Sequence, residues 1–323
     1  MAIEEISVLL VSWRDVEETL AAVESLARAR AQAPSGLRVS LVVVDNDGGA
    51  LDREALLERW PDATLLVNAR NHGFGPAVNQ AAEVARGDVL LLVNPDARAE
   101  EDPFGEIAKA FELRPDAVAV APRLVDDAAA TGRLAAPGRE DQFTFQLRRL
   151  PRLSDDAREL LLLDHAAPNS RARRKFRYAD RDPDAVLDVE QPAAAALAIR
   201  ASDFRAVGGF DETFVPAWFE DVDLCARLLE RGAIVYWPSA RFRHRGGAAS
   251  EALGYARFLP AYYRNAIRYR RRRYGLLSRA AYRALLAAGM ALRLAALPLR
   301  RSPRPRRESA VAYVRTLRVA LRP

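Results

Sequence analysis

Val89-Leu90-Leu91-Leu92-Val93-Asn94-Pro95-Asp96 passes from five consecutive apolar residues straight onto an acid. A run this short and uniformly apolar reads as a strand buried on both faces of a sheet. Proline has no N–H for a ladder and suits a strand end, so the strand should stop near Asn94. Asp96 then stands at the carboxyl edge of a parallel sheet, the edge on which open α/β folds bind their ligands.

Working outward, residues 6–12 and 38–44 read as two more buried strands, the first running onto Ser12 and the second onto Asp45-Asn46-Asp47-Gly48-Gly49. Asp15, with Glu18 three residues on, has the form of a helix cap, and Val16, Leu20, Val23 and Leu26 follow at helical spacing. A helix over about Leu51–Trp60 and a strand at Thr64–Val67 come next. Pro76 and Gly87 bracket a helix over 76–86, and Asp102-Pro103 opens another that closes before Pro115. The alternation predicts an α/β three-layer sandwich with a mostly parallel sheet.

From about Asp126 to Val189 the pattern weakens, with a short helix expected over Ala157–Leu163. So long a stretch inside a domain is usually functional or mobile. Ala193–Arg200 reads as a strand, Ser202 as the cap of a helix reaching Gly208-Gly209, and Glu220–Gly232 as a helix. Strands at 233–237 and 240–243 follow, the second ending on His244-Arg245-Gly246-Gly247. Past Ser250 the chain reads as helical. The expected organisation is a catalytic domain over 1–250, with 126–189 as an insertion, and a helical region over 251–323.

At 323 residues and 50% hydrophobic, the chain can bury one large core or two smaller ones. Its single cysteine, Cys225, excludes an intrachain disulfide and a cysteine-based zinc site, which fits a reducing compartment. The acidic start Met1-Ala2-Ile3-Glu4-Glu5 does not read as a signal peptide, so a cytoplasmic location is expected. The net charge of +6 is unevenly spread: residues 254–323 carry 18 arginines against one acid, Glu308, hence +17, leaving −11 elsewhere.

Several residues suit chemistry, each with a plainer reading beside it. Asp45 suits a contact to a base or ribose, or the turn chemistry of Asp-Asn-Asp-Gly-Gly. Asn71-His72-Gly73-Phe74-Gly75 suits a backbone cradle for phosphate at a helix start, although its spacing is neither a Walker loop nor a dinucleotide fingerprint. Asn79, one turn later, faces ligand or solvent. Asp96 suits Mg²⁺ or Mn²⁺, or the capping of the next turn. Glu220, Asp221 and Asp223 crowd the first turn of a helix beside Trp218 and Phe219, more charge than a helix dipole calls for, and one of them suits a general base. His244, before two glycines, suits a metal ligand or a satisfied structural histidine.

Taken in order, these blocks resemble the family 2 glycosyltransferases, in particular the rhamnosyltransferase-like branch. The likeness rests on Leu9-Leu10-Val11-Ser12, Val43-Val44-Asp45-Asn46, Asn71-His72-Gly73-Phe74-Gly75 with Asn79, Leu92-Val93-Asn94-Pro95-Asp96, Val207-Gly208-Gly209-Phe210-Asp211-Glu212, Phe219-Glu220-Asp221-Val222-Asp223-Leu224-Cys225 and His244-Arg245-Gly246-Gly247. It covers about residues 5–250 and implies a GT-A fold, a nucleotide-sugar donor, a divalent metal and inversion at the anomeric carbon. By the same resemblance Asp221 is the catalytic base. Ser12, Asp45, Asn71, Gly73, Asn79 and Asn94 line the donor side, and Trp218 and Glu220 the acceptor side. Asp96, at the family's DXD position, and His244 serve the metal. Trp13-Arg14 stands where the family often has an aromatic-Asn pair, and Ala193–Leu197 where it commonly has Gly before Ala.

The implied reaction is hexosyl transfer, with a deoxyhexose such as rhamnose favoured, from a dTDP- or UDP-linked donor to a glycan or lipid-linked acceptor in bacterial polysaccharide or cell-wall assembly. A nucleotidyltransferase would use a similar sheet-edge aspartate but should show a basic glycine-rich loop near its amino terminus. A catalytically silent nucleotide-sugar or polyanion-binding module is the third reading. The arginine-rich tail, with Arg268 and Arg270–Arg273 clustered, suits an interfacial helix on the anionic inner face of the plasma membrane. No nucleic-acid recognition motif accompanies it.

Overall fold

The structure, a computed structural model, describes residues 2–126, 142–246, 253–299 and 304–322. Gly247 and the 127–141 part of the weakly patterned stretch lie outside the described residues. The chain divides into two compact units: Met1–Arg149 with Tyr178–Glu212 and Glu220–Gly246, and Leu150–Arg177 with Thr213–Phe219 and Gly247–Pro323.

The first unit is built on a nine-stranded sheet. Its strands are β1 (Glu5–Ser12), β2 (Arg38–Asp45), β3 (Thr64–Val67), β4 (Val89–Val93), β5 (Ala97–Glu100), β6 (Ala117–Asp126), β8 (Leu187–Asp188), β10 (Ala196–Arg200) and β11 (Ala233–His244), while β7 (Leu147–Arg148) and β9 (Gln191–Pro192) form a separate two-stranded ribbon. The order is β3-β2-β1-β4-β10-β6-β11-β5, with β8 also on β11. β3, β2, β1 and β4 run parallel, as do β6 and β11. β10 is antiparallel to both of its neighbours, and β5 and β8 are antiparallel to β11, so the sheet is mixed.

The helices of this unit are α1 (Val16–Arg30), α2 (Arg53–Arg59), α3 (Phe74–Val84), α4 (Pro103–Leu113), α5 (Phe143–Gln146), α9 (Ala201–Ala206) and α10 (Glu220–Leu228). Val89, Leu91 and Val93 pack on one side with Val23 and Leu26 of α1, Leu56 of α2 and Phe104, Ile107 and Phe111 of α4. Leu90 and Leu92 pack on the other with Ala77, Val78 and Ala81 of α3, Phe204 of α9 and Leu224 and Leu228 of α10. All five strand residues are buried, so β4 is the two-faced strand its composition implied, and the two helical layers complete the α/β sandwich.

Asp15 caps α1 by accepting from the Glu18 amide, and Asp102 caps α4 by accepting from Gly105. Several boundaries differ from the sequence reading, for packing reasons. α3 starts two residues before Pro76, with Gly73 at its cap (φ 99°), and stops at Val84. Gly87 is not its C-cap: a Cβ there would stand 2.6 Å from the Ser7 amide nitrogen, so glycine is needed for close approach to β1. Ser202 lies inside α9 rather than at its cap, which is Arg200. The two strands expected around residue 238 are one, β11, with a register shift between Trp237 and Arg241 where Pro238 interrupts the ladder.

The second unit is helical: α6 (Leu153–Leu160), α7 (Leu163–Ala166), α8 (Arg171–Phe176), α11 (Tyr255–Ala296) and α12 (Arg306–Leu321). α11 breaks at Gly275, whose backbone is non-helical at φ 80° and ψ −172°. Arg270 is buried against α6, where it pairs with Asp156 and donates to the Pro151 carbonyl at 2.7 Å. No helix among the described residues is long and apolar enough to cross a membrane.

Candidate active site

Register brings the sequence-predicted residues to one sheet edge. Ser12 of β1 pairs with Asp45 of β2, Asp45 with Val67 of β3, and Leu10 of β1 with Val93 of β4. Asn94-Pro95-Asp96 leaves that edge as a tight turn: the Asn94 amide donates to Ala195 O, the Ala97 amide donates to Asn94 O, and Arg98 donates to Pro95 O at 2.6 Å. β5 follows at once and pairs antiparallel with β11, setting Ala97 opposite His244. Two residues 147 positions apart are thereby made neighbours.

His244 Nε2 lies 3.4 Å from Asp96 Oδ1, and both side chains are buried. The Gln142 amide grips the histidine twice: its Nε2 donates to His244 O at 2.5 Å and its Oε1 lies 3.0 Å from His244 Nδ1. With the amide nitrogen committed to a carbonyl, Oε1 accepts, so Nδ1 carries a ring proton and Nε2 is the nitrogen that faces Asp96. The Arg245 amide also donates to Asp96 O. Burial by itself raises the Asp96 pKa, but an Nε2–H donated by His244 and the Arg245 charge outweigh it and hold the carboxyl below its ordinary value; a metal ion bound between the two would take the place of that proton.

One carboxylate and one neutral imidazole nitrogen are a suitable donor set for Mg²⁺ or Mn²⁺ that completes its shell with water and phosphate oxygens. No group of three or more potential ligands exists among the described residues, so these two residues fit a shared metal and not a closed protein cage.

Among the residues expected on the donor side, the structure separates loop architecture from exposed groups. Asp45 is buried, and its two oxygens accept from the amides of Asp47 and Leu51, both at 2.8 Å, so its carboxylate organises the loop after β2. Ser12 is also buried and accepts from Thr19 Oγ1. Asn71 is exposed and its Oδ1 accepts from the Gly73 amide at 2.7 Å. Asn79 does not face outward freely: its Oδ1 accepts from the Phe210 amide, and its Nδ2 donates to Phe210 O and Glu212 Oε1. It ties α3 to the Gly208–Glu212 turn.

A hub that sequence reasoning missed is Asn46. Its Nδ2 donates to Asn71 Oδ1 and Gly73 O, and its Oδ1 accepts from the His72 amide and Asn68 Nδ2. The only signal for it was its place beside Asp45 in the motif.

Glu220 and Asp221 open α10, and both are pushed upward in pKa by burial, Glu220 further by the charge of Asp221. Asp221 Oδ1 accepts from the Val222 amide and Oδ2 accepts from Gln191 Nε2 at 3.2 Å. Glu220 Oε2 is buried without a hydrogen-bond partner, as expected of a carboxyl that keeps its proton. Asp223 is not part of this pair: it bridges to Arg227, which donates to Val207 O and Gly209 O. The arrangement offers one proton-accepting carboxylate and one carboxyl that stays neutral. Gln191 and Gln142 were not foreseen, because both sit in stretches without periodic pattern.

Trp218, expected on the acceptor side, belongs to the second unit. It has φ 74°, packs edge-on against Phe258 at 4.6 Å, and its carbonyl accepts from the buried Asn265 at 3.0 Å. Trp13 carries the Arg14 guanidinium over its ring at 4.6 Å, a stacked pair where the family often has aromatic-Asn.

Residues 7–175, just over half the chain, match the profile of Glycosyl transferase family 2. The chain belongs to this family. It is 28% identical over 222 residues to the N-acetylglucosaminyl-diphospho-decaprenol L-rhamnosyltransferase of Mycobacterium tuberculosis, a match spanning 64% of this chain and 66% of that protein, a little under two thirds of its length. The glycosyltransferase also resembles, at 14% identity and a TM-score of 0.52, the mannosyltransferase PcManGT from Pyrobaculum calidifontis in complex with GDP-Man and Mn²⁺, over 99% of this chain and 86% of that one. GalNAc-T7 with UDP, GalNAc and Mn²⁺ is similar at 13% identity and a TM-score of 0.51, over 82% of this chain and 48% of that one. These likenesses establish the GT-A fold of the family 2 glycosyltransferase; the bound ligands are those of the other proteins.

Proposed function

We propose that this family 2 glycosyltransferase is a metal-dependent, inverting enzyme. It moves a sugar, with a deoxyhexose such as rhamnose favoured, from a dTDP- or UDP-linked donor to a hydroxyl of a lipid-linked or glycan acceptor in polysaccharide or cell-wall assembly. The observation that carries the reading is the Asp96–His244 pair, a carboxylate and an imidazole nitrogen held 3.4 Å apart at the carboxyl edge of the sheet. The sugar and acceptor follow the name of the mycobacterial relative.

Asp96 Oδ1 and His244 Nε2 would hold Mg²⁺ or Mn²⁺, with Gln142 fixing the histidine tautomer. A divalent ion, when bound, neutralises charge on the departing nucleoside diphosphate. Asp221 accepts the proton of the acceptor hydroxyl as its oxygen bonds to the anomeric carbon and the bond to the diphosphate breaks on the opposite face. Gln191 orients that carboxylate. Glu220, neutral beside it, adds no second negative charge to the acceptor side. Asn71 and Gly73 line the donor side, and Asn46 sets the loop that carries them. The basic helical region is read as a peripheral contact with the anionic inner face of the plasma membrane.

The test is thermal unfolding of the full chain with a panel of nucleotide sugars, each with and without Mn²⁺, followed by product analysis with a lipid-linked acceptor. Stabilisation by a dTDP- or UDP-sugar that requires Mn²⁺, with release of the nucleoside diphosphate, is the expected result. Pyrophosphate release from a nucleoside triphosphate would favour a nucleotidyltransferase. Stabilisation with no turnover on any acceptor would favour a silent binding module.

A further inference from the structure

The second unit presents a surface that catalysis does not use. Along α11 the buried positions run from Leu259 to Arg270 and resume at Tyr282. All seven residues from 271 to 277, Arg271-Arg272-Arg273-Tyr274-Gly275-Leu276-Leu277, are exposed. Leu276 is 66% exposed and Leu277 89%, beside Tyr274 at 43%. Single exposed leucines are ordinary, but two adjacent ones at a helix break, preceded by three arginines and an aromatic residue, are not scattered surface.

The break is not a packing device. A Cβ on Gly275 would meet nothing within 4 Å, yet its φ of 80° turns the chain at this point. The base of the segment is fixed: Arg270 is anchored to Asp156, and its guanidinium lies 5.0 Å from the Tyr274 ring, which also meets Tyr269 edge-on. The leucines therefore project from an anchored support.

We propose that residues 271–277 form an insertion tip that seats the second unit on an anionic lipid surface, with Leu276 and Leu277 entering the acyl boundary, Tyr274 at the headgroups and Arg271–Arg273 on lipid phosphates. Charge selects this occupant. A second copy of the chain packed symmetrically on this surface would bring another +17 region against this one. A polyanion without an apolar phase would take the arginines and leave both leucines in water. An anionic bilayer satisfies both, and an interfacial attachment needs no membrane-spanning helix. The lipid-linked acceptor of the proposed function gives such seating a purpose, and to that extent the inference rests on that reading.

The test uses the full chain carrying Leu277→Cys, labelled with an environment-sensitive thiol dye. Cys225 is buried and burial raises its thiol pKa, so it should stay unlabelled. Vesicles of phosphatidylcholine with added phosphatidylglycerol should blue-shift the dye and carry the protein up in flotation; phosphatidylcholine alone should do neither. Leu276→Ser with Leu277→Ser should lower vesicle binding by roughly tenfold or more with an unchanged melting temperature, and Arg271→Glu, Arg272→Glu, Arg273→Glu should abolish the preference for anionic lipid. Undiminished flotation of the serine variant, an unshifted dye on anionic vesicles, or tip-dependent dimerisation or RNA binding in place of vesicle binding would overturn the proposal. Mn²⁺-dependent nucleotide-sugar binding, measured on the same variants, should be unaffected. Its failure in the unsubstituted chain would count against the proposed reaction and not against the tip.

Discussion

His244 Nε2 and Asp96 Oδ1 stand 3.4 Å apart although 148 positions separate them in the chain, because β5 turns back from Asp96 to pair with the end of β11. Asp96→Ala and His244→Ala should each lose most of the Mn²⁺-dependent part of nucleotide-sugar binding. Calorimetry with and without Mn²⁺ reads this directly, and equal metal dependence in both variants and the unsubstituted chain would remove the pair from the metal site.

Gln142→Ala should weaken Mn²⁺ binding by on the order of 10–100-fold, since partners that orient a ligand contribute that much in metal sites. The readout is Mn²⁺ titration followed by electron paramagnetic resonance, without any turnover. Gln142→Glu, which keeps an acceptor for Nδ1–H, should retain more affinity than the alanine variant.

Asp221→Asn should lower turnover by about 10²–10⁴-fold, the usual contribution of a general base, while donor affinity changes little. The pH profile of the unsubstituted enzyme supplies a second check. In the proposed role Asp221 acts deprotonated, and burial raises its pKa. Activity should therefore fall, as pH is lowered, at a higher pH than an ordinary aspartate near about 3.9 would give. An acid limb at or below that ordinary value would contradict the assignment.

Glu220→Gln should change how stability depends on pH. The folded state holds the Glu220 proton above pH 4.5, where the unfolded chain has released it, so this residue makes stability fall as pH rises from 4.5 toward its raised folded pKa. Glutamine cannot titrate. Urea unfolding across that window should show the variant gaining on the parent as pH increases, and parallel curves would mean that Glu220 is ionised in the fold.

Gly209→Ala should destabilise the protein by roughly 1–3 kcal/mol, because φ is 66° there and the new Cβ would fall 2.6 Å from Asn79 Oδ1. Asn79→Ala should cost a similar amount by releasing the Phe210 backbone. The double variant should cost less than the sum, measurable by chemical denaturation.

What was legible in the sequence was whatever local pattern controls. β4 was readable because five apolar residues can only be buried on two faces, and Asp15 and Asp102 were readable because a cap lies within three residues of its amide. The antiparallel setting of β10 was not, since pairing direction depends on partners 78 or more positions away. Asp45 and Asn79 were named as donor-side residues, but their side chains are engaged with the Asp47 and Leu51 amides and with Phe210 and Glu212; residue type does not reveal which amides a carboxylate or carboxamide will find. Gln142 and Gln191 were invisible for the same reason.

The sheet order also bears on how the protein is made. Among the described residues, the sheet partners of β6 are β10 and β11. The stretch that matches the family profile ends at residue 175, before either strand has left the ribosome. Up to that point β6 carries two unpaired edges and β4 one. The family-matching portion alone thus leaves these edges without their partner strands. A nascent chain must keep these edges from pairing elsewhere until β11 is complete at His244, the residue that also completes the pair with Asp96. Folding and assembly of the Asp96–His244 pair close on the same strand.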